Sequence, residues 1–339
     1  MIRVGLTPDL LNGSGTPSFG SAPLALLDGC SNIAWEYLHA TITEIDAEMA
    51  ARYDALYVTA PRVTAACVAR GDRRFKLVAR HGVGYDTVEV SAMTAAGVIV
   101  TNTPKAVRRP VATMAITFVL ALAQRLMAKH VLARTGGWDR RADFMRQGLT
   151  GKTLGVVGAG GTGLETLRLA KAFDMRLAAA GPHIEEHALA PFGAALLPLD
   201  ELLAVSDFVV LACRLDVSTH HLINARRLAL MKSTAYLVNV ARGAVIDEAA
   251  LAEALTAGTI AGAGLDVFEQ KTGRPRQPAS CHGQRLHHTA FALLDRRMFR
   301  RHRARRAGQH RCFRAAHFTR IYREPRSASP AGRCGVVHG

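Results

Sequence analysis

Short apolar segments alternate with helical patterns through the first 270 residues of the chain. Several of the segments are apolar at every position, which is typical of parallel strands covered on both faces. Regular alternation of such strands with helices predicts a doubly wound α/β fold. The strand candidates are Ile2–Leu6, Ala55–Thr59, Lys76–Ala79, Val98–Thr101, Thr153–Val157, Arg176–Ala179, Phe208–Ala212, Ala235–Asn239 and the run that starts at Gly262.

A long helical pattern from Ala106 to about Ala133 separates the early strands from a second set that starts near Gly151. This arrangement predicts two α/β domains with a helix between them. The stretch from Val111 to Ala128 approaches the length of a membrane span, but Gln124 and Arg125 interrupt it. A buried helix of a soluble protein is therefore the prediction, and no membrane is expected.

Composition limits the class of protein. With 339 residues, 49% of them hydrophobic, the chain is long enough for two domains with large cores. The six cysteines show no CxxC spacing, so neither a metal site nor a disulfide framework is predicted. The N-terminus reads as a strand rather than as a signal peptide, which predicts a cytoplasmic protein.

The charge of the chain is concentrated at one end. Residues 271–339 hold 16 Arg, one Lys and two acids, a net charge of +15 out of the +16 of the whole chain. The first 270 residues are close to neutral, at +1. Two different compositions are therefore joined end to end.

The strongest local motif is Gly158-x-Gly160-x-x-Gly163, which follows an apolar strand and opens a helix. The first glycine permits a tight turn, the second lets the backbone approach a pyrophosphate, and the third lets the helix pack on the strand. The N–H groups at the start of the helix can then bind phosphate. Although a lone motif of this kind is often only a glycine turn, its strand–turn–helix context predicts a dinucleotide site.

The next strand lacks the acid that usually binds the ribose hydroxyls of NAD. The expected position is Gly181, followed by Pro182 and His183. NAD bound without this contact and tolerance of NADP are both consistent with a glycine here. The choice between NAD and NADP therefore stays open.

A second motif, Asn239-x-x-Arg242-Gly243, places an arginine where an apolar strand ends. Such strand ends face the crevice in which doubly wound folds bind ligands. A guanidinium there can bind a carboxylate through two hydrogen bonds and polarise an adjacent carbonyl. The alternative is an ordinary surface arginine.

Residues 1–270 resemble the D-isomer-specific 2-hydroxyacid dehydrogenases, relatives of phosphoglycerate dehydrogenase, and the resemblance ends at Gln270. It is carried by the two motifs above together with the runs Arg80-His81-Gly82-Val83-Gly84-Tyr85-Asp86, Asn102-Thr103-Pro104 and Gly264-Leu265-Asp266-Val267-Phe268. The resemblance implies a flavodoxin-like substrate domain over 1–105 and a Rossmann NAD(P)-binding domain over 106–285. Residues 286–339 are then a basic, disordered tail.

The resemblance also implies roles for individual residues. The backbone of Val83 and Gly84 is expected to bind the carboxylate of a 2-hydroxy or 2-keto acid, and Arg242 is the expected catalytic residue that binds the carboxylate and keto oxygen. Arg214 and Thr113 depart from the family, which commonly has Pro and Glu at these positions. A homodimer is implied. The positions expected to contact the cofactor are Gly158, Gly160, Gly161, Thr162, Gly163, Gly181, Cys213, Arg214, Val240, Ala241 and Asp266.

Two groups that the family chemistry needs are missing. Reduction of a 2-keto acid requires a proton donor, and the family uses a histidine oriented by a glutamate. Lys271 stands at the glutamate position with the wrong charge, and the T-P-H run that carries the family histidine occurs nowhere in the chain. The chain as written is therefore expected to be impaired. Loss of the T-P-H strand is also expected to leave one sheet edge uncovered.

A shifted reading frame explains both the missing groups and the basic tail. Read one base later, codons for Gly283 to Phe291 can encode D-N-V-x-x-T-P-H, which places the missing histidine across the codons of Ala290 and Phe291. In the same frame, Leu294 to Phe299 can encode Trp-Thr-Asp-Glu-Cys-Phe. The tail is therefore interpreted as frameshifted.

Other interpretations of the chain remain. His287 or His288 could replace the lost acid/base group, and a dinucleotide-binding sensor or corepressor would need no chemistry. The tail could also bind nucleic acid nonspecifically through its arginines, although no specific nucleic-acid partner is expected. That cluster comprises Arg296, Arg297, Arg300, Arg301, Arg303, Arg305 and Arg306.

The frameshift makes a direct prediction about the gene. Sequencing the DNA across codons 265–300 should show an insertion or deletion near Lys271, with the alternative frame open and encoding T-P-H. A stop codon in that frame before the T-P-H codons would contradict the interpretation.

Overall fold

The computed structural model describes residues 1–39, 42–269 and 292–295. Two parallel sheets with helices between their strands account for most of this part of the chain. The predicted doubly wound α/β class is confirmed.

The first sheet has five parallel strands in the order β2-β1-β3-β4-β5. This is the flavodoxin-like order, in which the strand order reverses between β1 and β3. Loops at the carboxyl ends of these strands therefore meet at one edge. The strands are β1 (Ile2–Leu6), β2 (Ile33–Tyr37), β3 (Ala55–Val58), β4 (Leu77–Arg80) and β5 (Ile99–Thr101).

Three short helices pack around the first sheet: α1 (Ala25–Asp28), α2 (Ala47–Arg52) and α3 (Val90–Ala95). Helix α2 begins after Asp46, whose side chain accepts a hydrogen bond from the Met49 N–H. The core includes Leu56, Phe75 and Met93, all fully buried. Two 3₁₀ turns, Pro8–Leu10 and Ala65–Val68, complete this part.

Helices α4 (Pro104–Ala123) and α5 (Leu126–Arg134) lead from the first sheet to the second. The sequence predicts one continuous helix here, but the chain breaks at Arg125, which adopts a left-handed conformation with φ 51°. Helix α4 is long and apolar enough to cross a membrane by length and composition. Its buried face packs in the core of the second sheet, as predicted for a buried helix. The 3₁₀ helix Trp138–Phe144 follows.

The second sheet has seven strands in the order β12-β11-β10-β9-β6-β7-β8, all parallel except β12. The six parallel strands have the Rossmann order, which reverses between β6 and β9. The strands are β6 (Thr153–Val157), β7 (Arg176–Ala180), β8 (Ala195–Leu196), β9 (Phe208–Leu211), β10 (Tyr236–Asn239), β11 (Gly262–Leu265) and β12 (Ala292–Asp295).

Both faces of the second sheet are covered, because its inner strands β6, β9, β10 and β11 are buried at every position. The helices are α6 (Gly161–Ala170), α7 (Glu186–Leu189), α8 (Leu199–Val205), α9 (Ala225–Leu230) and α10 (Glu248–Ala257). Asn224 and Asp247 cap α9 and α10 by accepting hydrogen bonds from backbone N–H groups. Three 3₁₀ turns, Lys171–Phe173, Ala190–Phe192 and Gly243–Val245, complete the described elements.

The structure differs from the prediction at the edges of the sheets. Strand β12 lies antiparallel to β11, with Ala292 opposite Leu265, at the edge that was expected to stay uncovered. Four residues of the predicted disordered tail therefore form a strand. Strands β2 and β8 were not predicted, since one is half-exposed and the other has only two residues.

Leu237 tests the packing of the second core. Its side chain is fully buried on β10, so truncation leaves a cavity between sheet and helices. Leu237→Ala should lower the free energy of unfolding by about 2–5 kcal/mol in urea titrations. Val217→Ala is the control, because Val217 is 98% exposed and should change stability by under about 0.5 kcal/mol. Equal effects of the two variants would contradict the described packing.

Candidate functional site

The glycine-rich turn after β6 is shaped by contacts that leave no room for side chains. Gly158 has φ +90°, and a Cβ there would lie 2.6 Å from the Cα of Cys213. A Cβ at Gly163 would collide with the Gly158 carbonyl, so the helix packs directly on the turn. Among the described residues, no group lies within 4 Å of the Cβ position of Gly160. The geometry fits the tight turn predicted at Gly158 and the close helix packing predicted at Gly163, and the approach to a pyrophosphate at Gly160 stays a prediction.

Helix α6 begins at this turn, with Gly160 as its N-cap and Gly161 and Thr162 as its first residues. The first N–H groups of a helix have no partner within the helix and carry partial positive charge. A backbone cradle without side chains beside such a terminus fits a pyrophosphate. The residues present therefore fit a dinucleotide.

Gly181 lies next to the turn, at the end of β7. The Gly158 N–H donates to the carbonyl of Ala180, 2.8 Å away, which ties the two strand ends together. A Cβ at Gly181 would lie 3.0 Å from Cδ1 of Ile184. The predicted ribose position therefore has an apolar neighbour, and Gly181 itself brings no carboxylate.

Cys213 and Arg214 follow β9 on the other side of the turn. Burial raises the pKa of the Cys213 thiol to about 11, so the thiol is neutral at physiological pH. Arg214 Nη1 donates to the Tyr85 hydroxyl at 3.1 Å, and its guanidinium lies 5.2 Å from the centre of the Tyr85 ring. A residue predicted for the cofactor site thus also binds the loop after β4.

Asn239 determines the shape of the loop after β10. Its side chain is 1% exposed, accepts from the Ala241 N–H at 3.0 Å and donates to the Arg242 carbonyl at 2.9 Å. Its backbone carbonyl accepts from the Asp266 N–H. Asn239 therefore fixes the predicted cofactor residues Val240 and Ala241 and aims Arg242 out of the sheet.

Arg242 extends from the second sheet to the first. Its Nε donates to Oδ1 of Asp86 at 2.9 Å, and its Nη1 donates to the Ala241 carbonyl at 2.8 Å. The remaining nitrogen, Nη2, lies against Gly84, where any Cβ would collide with it. The structure brings together Arg242 and Gly84, two residues predicted for the substrate site that are far apart in sequence.

The loop that carries Val83 and Gly84 is held by the end of β5. Asn102 Nδ2 donates to the Val83 carbonyl at 2.8 Å, and the Gly82 N–H donates to Thr103 Oγ1 at 2.9 Å. Within the described part of the chain, neither the Val83 nor the Gly84 N–H has an acceptor. Two backbone donors and a guanidinium thus lie together, which suits a carboxylate.

Two further residues of this site had no predicted role. Asp86 orients Arg242, and its position in the Gly-x-Gly-Tyr-Asp run was the only signal of it. Arg80 has two buried guanidinium nitrogens, Nε and Nη1, without an acceptor among the described residues. Burial and then the nearby charge of Arg242 lower the pKa of Arg80. Two guanidinium groups, those of Arg80 and Arg242, therefore lie at the site together with the carboxylate of Asp86.

Asp266 follows β11, as predicted, and is half-buried. Burial raises the pKa of its carboxyl group above the ordinary value, because the ionised form is poorly solvated there. Such a carboxyl in a cleft is typical of a ligand-binding position.

Several predicted positions lie outside the described residues: Lys271, His287, His288, the positions 290 and 291 of the shifted T-P-H run, and the arginine cluster at 296–306. Within the described residues, His220, His221 and Glu269 lie together, and their potential metal-ligand atoms are within 4.8 Å of one another. Sequence spacing predicted no metal and missed this group. His221 Nε2 lies 2.8 Å from the Glu269 carboxylate, so this pair also ties the loop before α9 to the end of β11.

The raised pKa of Asp266 predicts a pH-dependent effect on stability. The carboxylate destabilises the folded state above its folded pKa, and this cost disappears below the unfolded value of 3.8. Asp266→Asn should therefore raise the urea midpoint at pH 7, and the gain should shrink as the pH falls toward 3.8.

Asp200→Asn is the control for Asp266, since hydrogen bonds from Arg227 and Arg226 lower the pKa of Asp200. This variant should not gain stability at pH 7. A gain for Asp266→Asn that is the same at all pH values would contradict the assignment.

Comparison with known proteins places this geometry in a family. A family model described as the NAD-binding domain of D-isomer specific 2-hydroxyacid dehydrogenases matches residues 116–291. The match extends past Gln270, where the resemblance was expected to end, and this corrects that boundary.

Two curated relatives are glyoxylate reductases. The protein from Thermococcus onnurineus is 41% identical over 247 residues, which cover 70% of this chain and 73% of that protein. The protein from Thermococcus gammatolerans is 45% identical over 208 residues, and the chain spans 61% of its length.

A solved structure agrees with both sheets. The crystal structure of D-lactate dehydrogenase from Aquifex aeolicus, complexed with NAD and lactic acid, matches with a TM-score of 0.69 and 26% identity over 78% of this chain and 77% of that chain. Motifs, fold and family model agree, and the chain belongs to the D-isomer-specific 2-hydroxyacid dehydrogenase family of NAD(P)-dependent oxidoreductases.

Proposed function

We propose that this chain binds NAD(P) and a small 2-hydroxy or 2-keto acid, with glyoxylate as the first substrate to test, and interconverts the two acids by hydride transfer. The observation that carries the proposal is the position of Arg242 against Gly84, next to two backbone N–H groups that have no acceptor among the described residues. The names of the curated relatives support glyoxylate.

Arg242 and the loop at Val83 and Gly84 bind the acid in this proposal. A carboxylate can accept hydrogen bonds from both N–H groups while Arg242 contacts the carboxylate and the keto oxygen. Asp86 holds Nε of Arg242, which leaves Nη2 for the ligand. The positive charge of Arg80 strengthens the attraction for an anion.

The cofactor would be held by the turn at Gly158–Gly163 and by the residues after β9, β10 and β11. When bound, its nicotinamide supplies or accepts the hydride, and the substrate exchanges it at C2. The half-buried Asp266 supports a role near the carboxamide, since a poorly solvated carboxyl there can hydrogen-bond an amide.

The chain should bind both NADH and NADPH. Gly181 presents no carboxylate to repel the additional phosphate of NADPH, and it provides no acceptor for the ribose hydroxyls of NADH. The domain roles follow: residues 1–105 bind the acid and residues 106–285 bind the cofactor. A cytoplasmic homodimer is the assembly that the family resemblance supports.

Turnover should be weak. Hydride transfer to C2 leaves an alkoxide that needs a proton, and general acid catalysis contributes about 10²–10⁴-fold. Lys271 replaces the family glutamate and the T-P-H histidine is missing from the sequence. We therefore expect the chain to bind the cofactor and the acid but to reduce the acid only slowly.

A second candidate is a dinucleotide-binding protein without catalysis, such as a sensor or corepressor. The missing acid/base groups favour it, whereas the oriented Arg242 favours an enzyme. Nonspecific nucleic-acid binding by the basic tail is a third candidate, supported only by charge.

Arg242→Ala separates these candidates in the full chain. NADH binding is measured by fluorescence, binding of the unreactive 2-keto acid analogue oxamate is measured in the presence of NADH, and glyoxylate reduction is followed by NADH absorbance. Arg242→Ala should lower the affinity for oxamate roughly ten- to hundredfold, because it removes a charged hydrogen bond, and should leave the affinity for NADH unchanged. It should also abolish any residual turnover.

Arg226→Ala is the matched control, because Arg226 on helix α9 bonds the exposed Asp200 on helix α8. Residual turnover that depends on Arg242 supports the enzyme. NADH binding with no turnover in either protein fits both the sensor and an impaired enzyme, and oxamate binding that depends on Arg242 then favours the impaired enzyme. Turnover at ordinary enzyme rates would overturn the expected impairment, and failure to bind NADH would overturn the proposal.

A further inference from the structure

The guanidinium of Arg108 lies at the N-terminus of α6, although Arg108 belongs to α4. A Cβ at Gly161, the first residue of α6, would lie 2.6 Å from Arg108 Nε and 3.0 Å from both Cζ and Nη2. The charged group therefore occupies the space that a side chain at position 161 would fill. No motif in the sequence pointed to this residue.

The neighbouring charges do not explain this position. Arg109, the next residue, donates to Glu165 at 2.6 Å, and Arg168 binds the same carboxylate at 2.9 Å. Glu165 is thus already neutralised by two arginines. Among the described residues, Arg108 has no acidic partner, so its charge stays uncompensated.

A cation at a helix N-terminus is electrostatically unfavourable, because the exposed N–H groups there are partly positive. The arrangement becomes favourable when an anion binds between the guanidinium and the helix. The glycine-rich turn directly before α6 is the place where the dinucleotide phosphates are expected. The ligand chemistry is therefore a pyrophosphate.

We propose that Arg108 is a cofactor-binding residue that reaches from α4 to the pyrophosphate of the dinucleotide, and that Gly161 lacks a side chain to admit it. The inference rests on the proposed function, since it places a residue at that cofactor site. Arg108 provides a fork of N–H donors that can bind two phosphate oxygens, which the backbone N–H groups alone cannot neutralise. It does not contact the reacting atoms.

The test measures the affinity of the full chain for NADH and for ADP-ribose, which keeps the pyrophosphate and lacks the nicotinamide. Arg108→Ala should lower the affinity for both ligands about tenfold, which is the effect of losing one charge-assisted hydrogen bond. The salt dependence of both affinities should also decrease, since one cation is lost. Arg109→Ala, a neighbouring arginine on the same helix, should leave both affinities within about twofold.

Gly161→Ala tests the role of the missing side chain. The new methyl group should displace the guanidinium, so this variant should also lose affinity in the wild-type background. In the Arg108→Ala background, Gly161→Ala should lower the affinity much less. The two effects would then be non-additive in a double-mutant cycle. Thermal melting of each variant verifies that the fold is kept.

The outcomes separate this inference from the proposed function. If the chain binds NADH and Arg108→Ala leaves affinity and salt dependence unchanged, the role of Arg108 is overturned and the cofactor site stands. If the chain binds neither ligand, the proposed function fails. Equal effects of Gly161→Ala with and without Arg108 would overturn the link between the two residues.

Discussion

The contact between Arg242 and Gly84 is the constraint on which the site depends. Arg242 leaves the end of one sheet and its guanidinium lies on the backbone of a loop from the other sheet. Any residue but glycine at position 84 would block it. The buried amide of Asn239 aims the arginine from one side and the carboxylate of Asp86 receives it from the other. Two sheets with separate cores therefore share one cleft, which is the proposed site for the acid.

The topology of each sheet explains why these groups meet. In both sheets the strand order reverses once, and loops on either side of that reversal diverge and leave a crevice. The turn at Gly158 lies at the reversal of the second sheet, next to Cys213. In the first sheet the loop at Val83 extends from β4 and is held by Asn102 after β5. That loop lies one strand away from the reversal between β1 and β3. In the proposed function, the cofactor binds at the turn of the second sheet and the acid binds at the loop that carries Val83.

Charge acts locally in this molecule. The first 270 residues have almost no net charge, yet they place Arg80, Arg108, Arg214 and Arg242 around the cleft. Where these groups are buried, as at Arg80, the lower dielectric strengthens their charge more than the overall balance does, and Asp86 offsets part of the charge of Arg242. The described part of the tail, Ala292–Asp295, carries none of its sixteen arginines. Net charge is thus a poor guide to the proposed ligand, which the positions of these arginines support instead.

The sequence by itself determined the fold class, the two sheets and the positions of the glycine-rich turn and Arg242. Those features depend on local patterns, since buried strands are apolar runs and tight turns require glycine. Strand β2, at the edge of the first sheet, was missed because its residues are half-exposed and its alternation of apolar and polar positions is weak. The break at Arg125 was missed because a single left-handed residue leaves no periodic signal.

Only the tertiary structure decided which residues act together. The pairing of Asp86 with Arg242 joins residues 156 positions apart, and Arg108 lies on a different helix from Gly161. Long-range contacts of this kind depend on how the sheets and helices pack, and local spacing carries no record of them. The antiparallel strand Ala292–Asp295 is of the same kind, because an open sheet edge accepts any segment that can supply backbone hydrogen bonds.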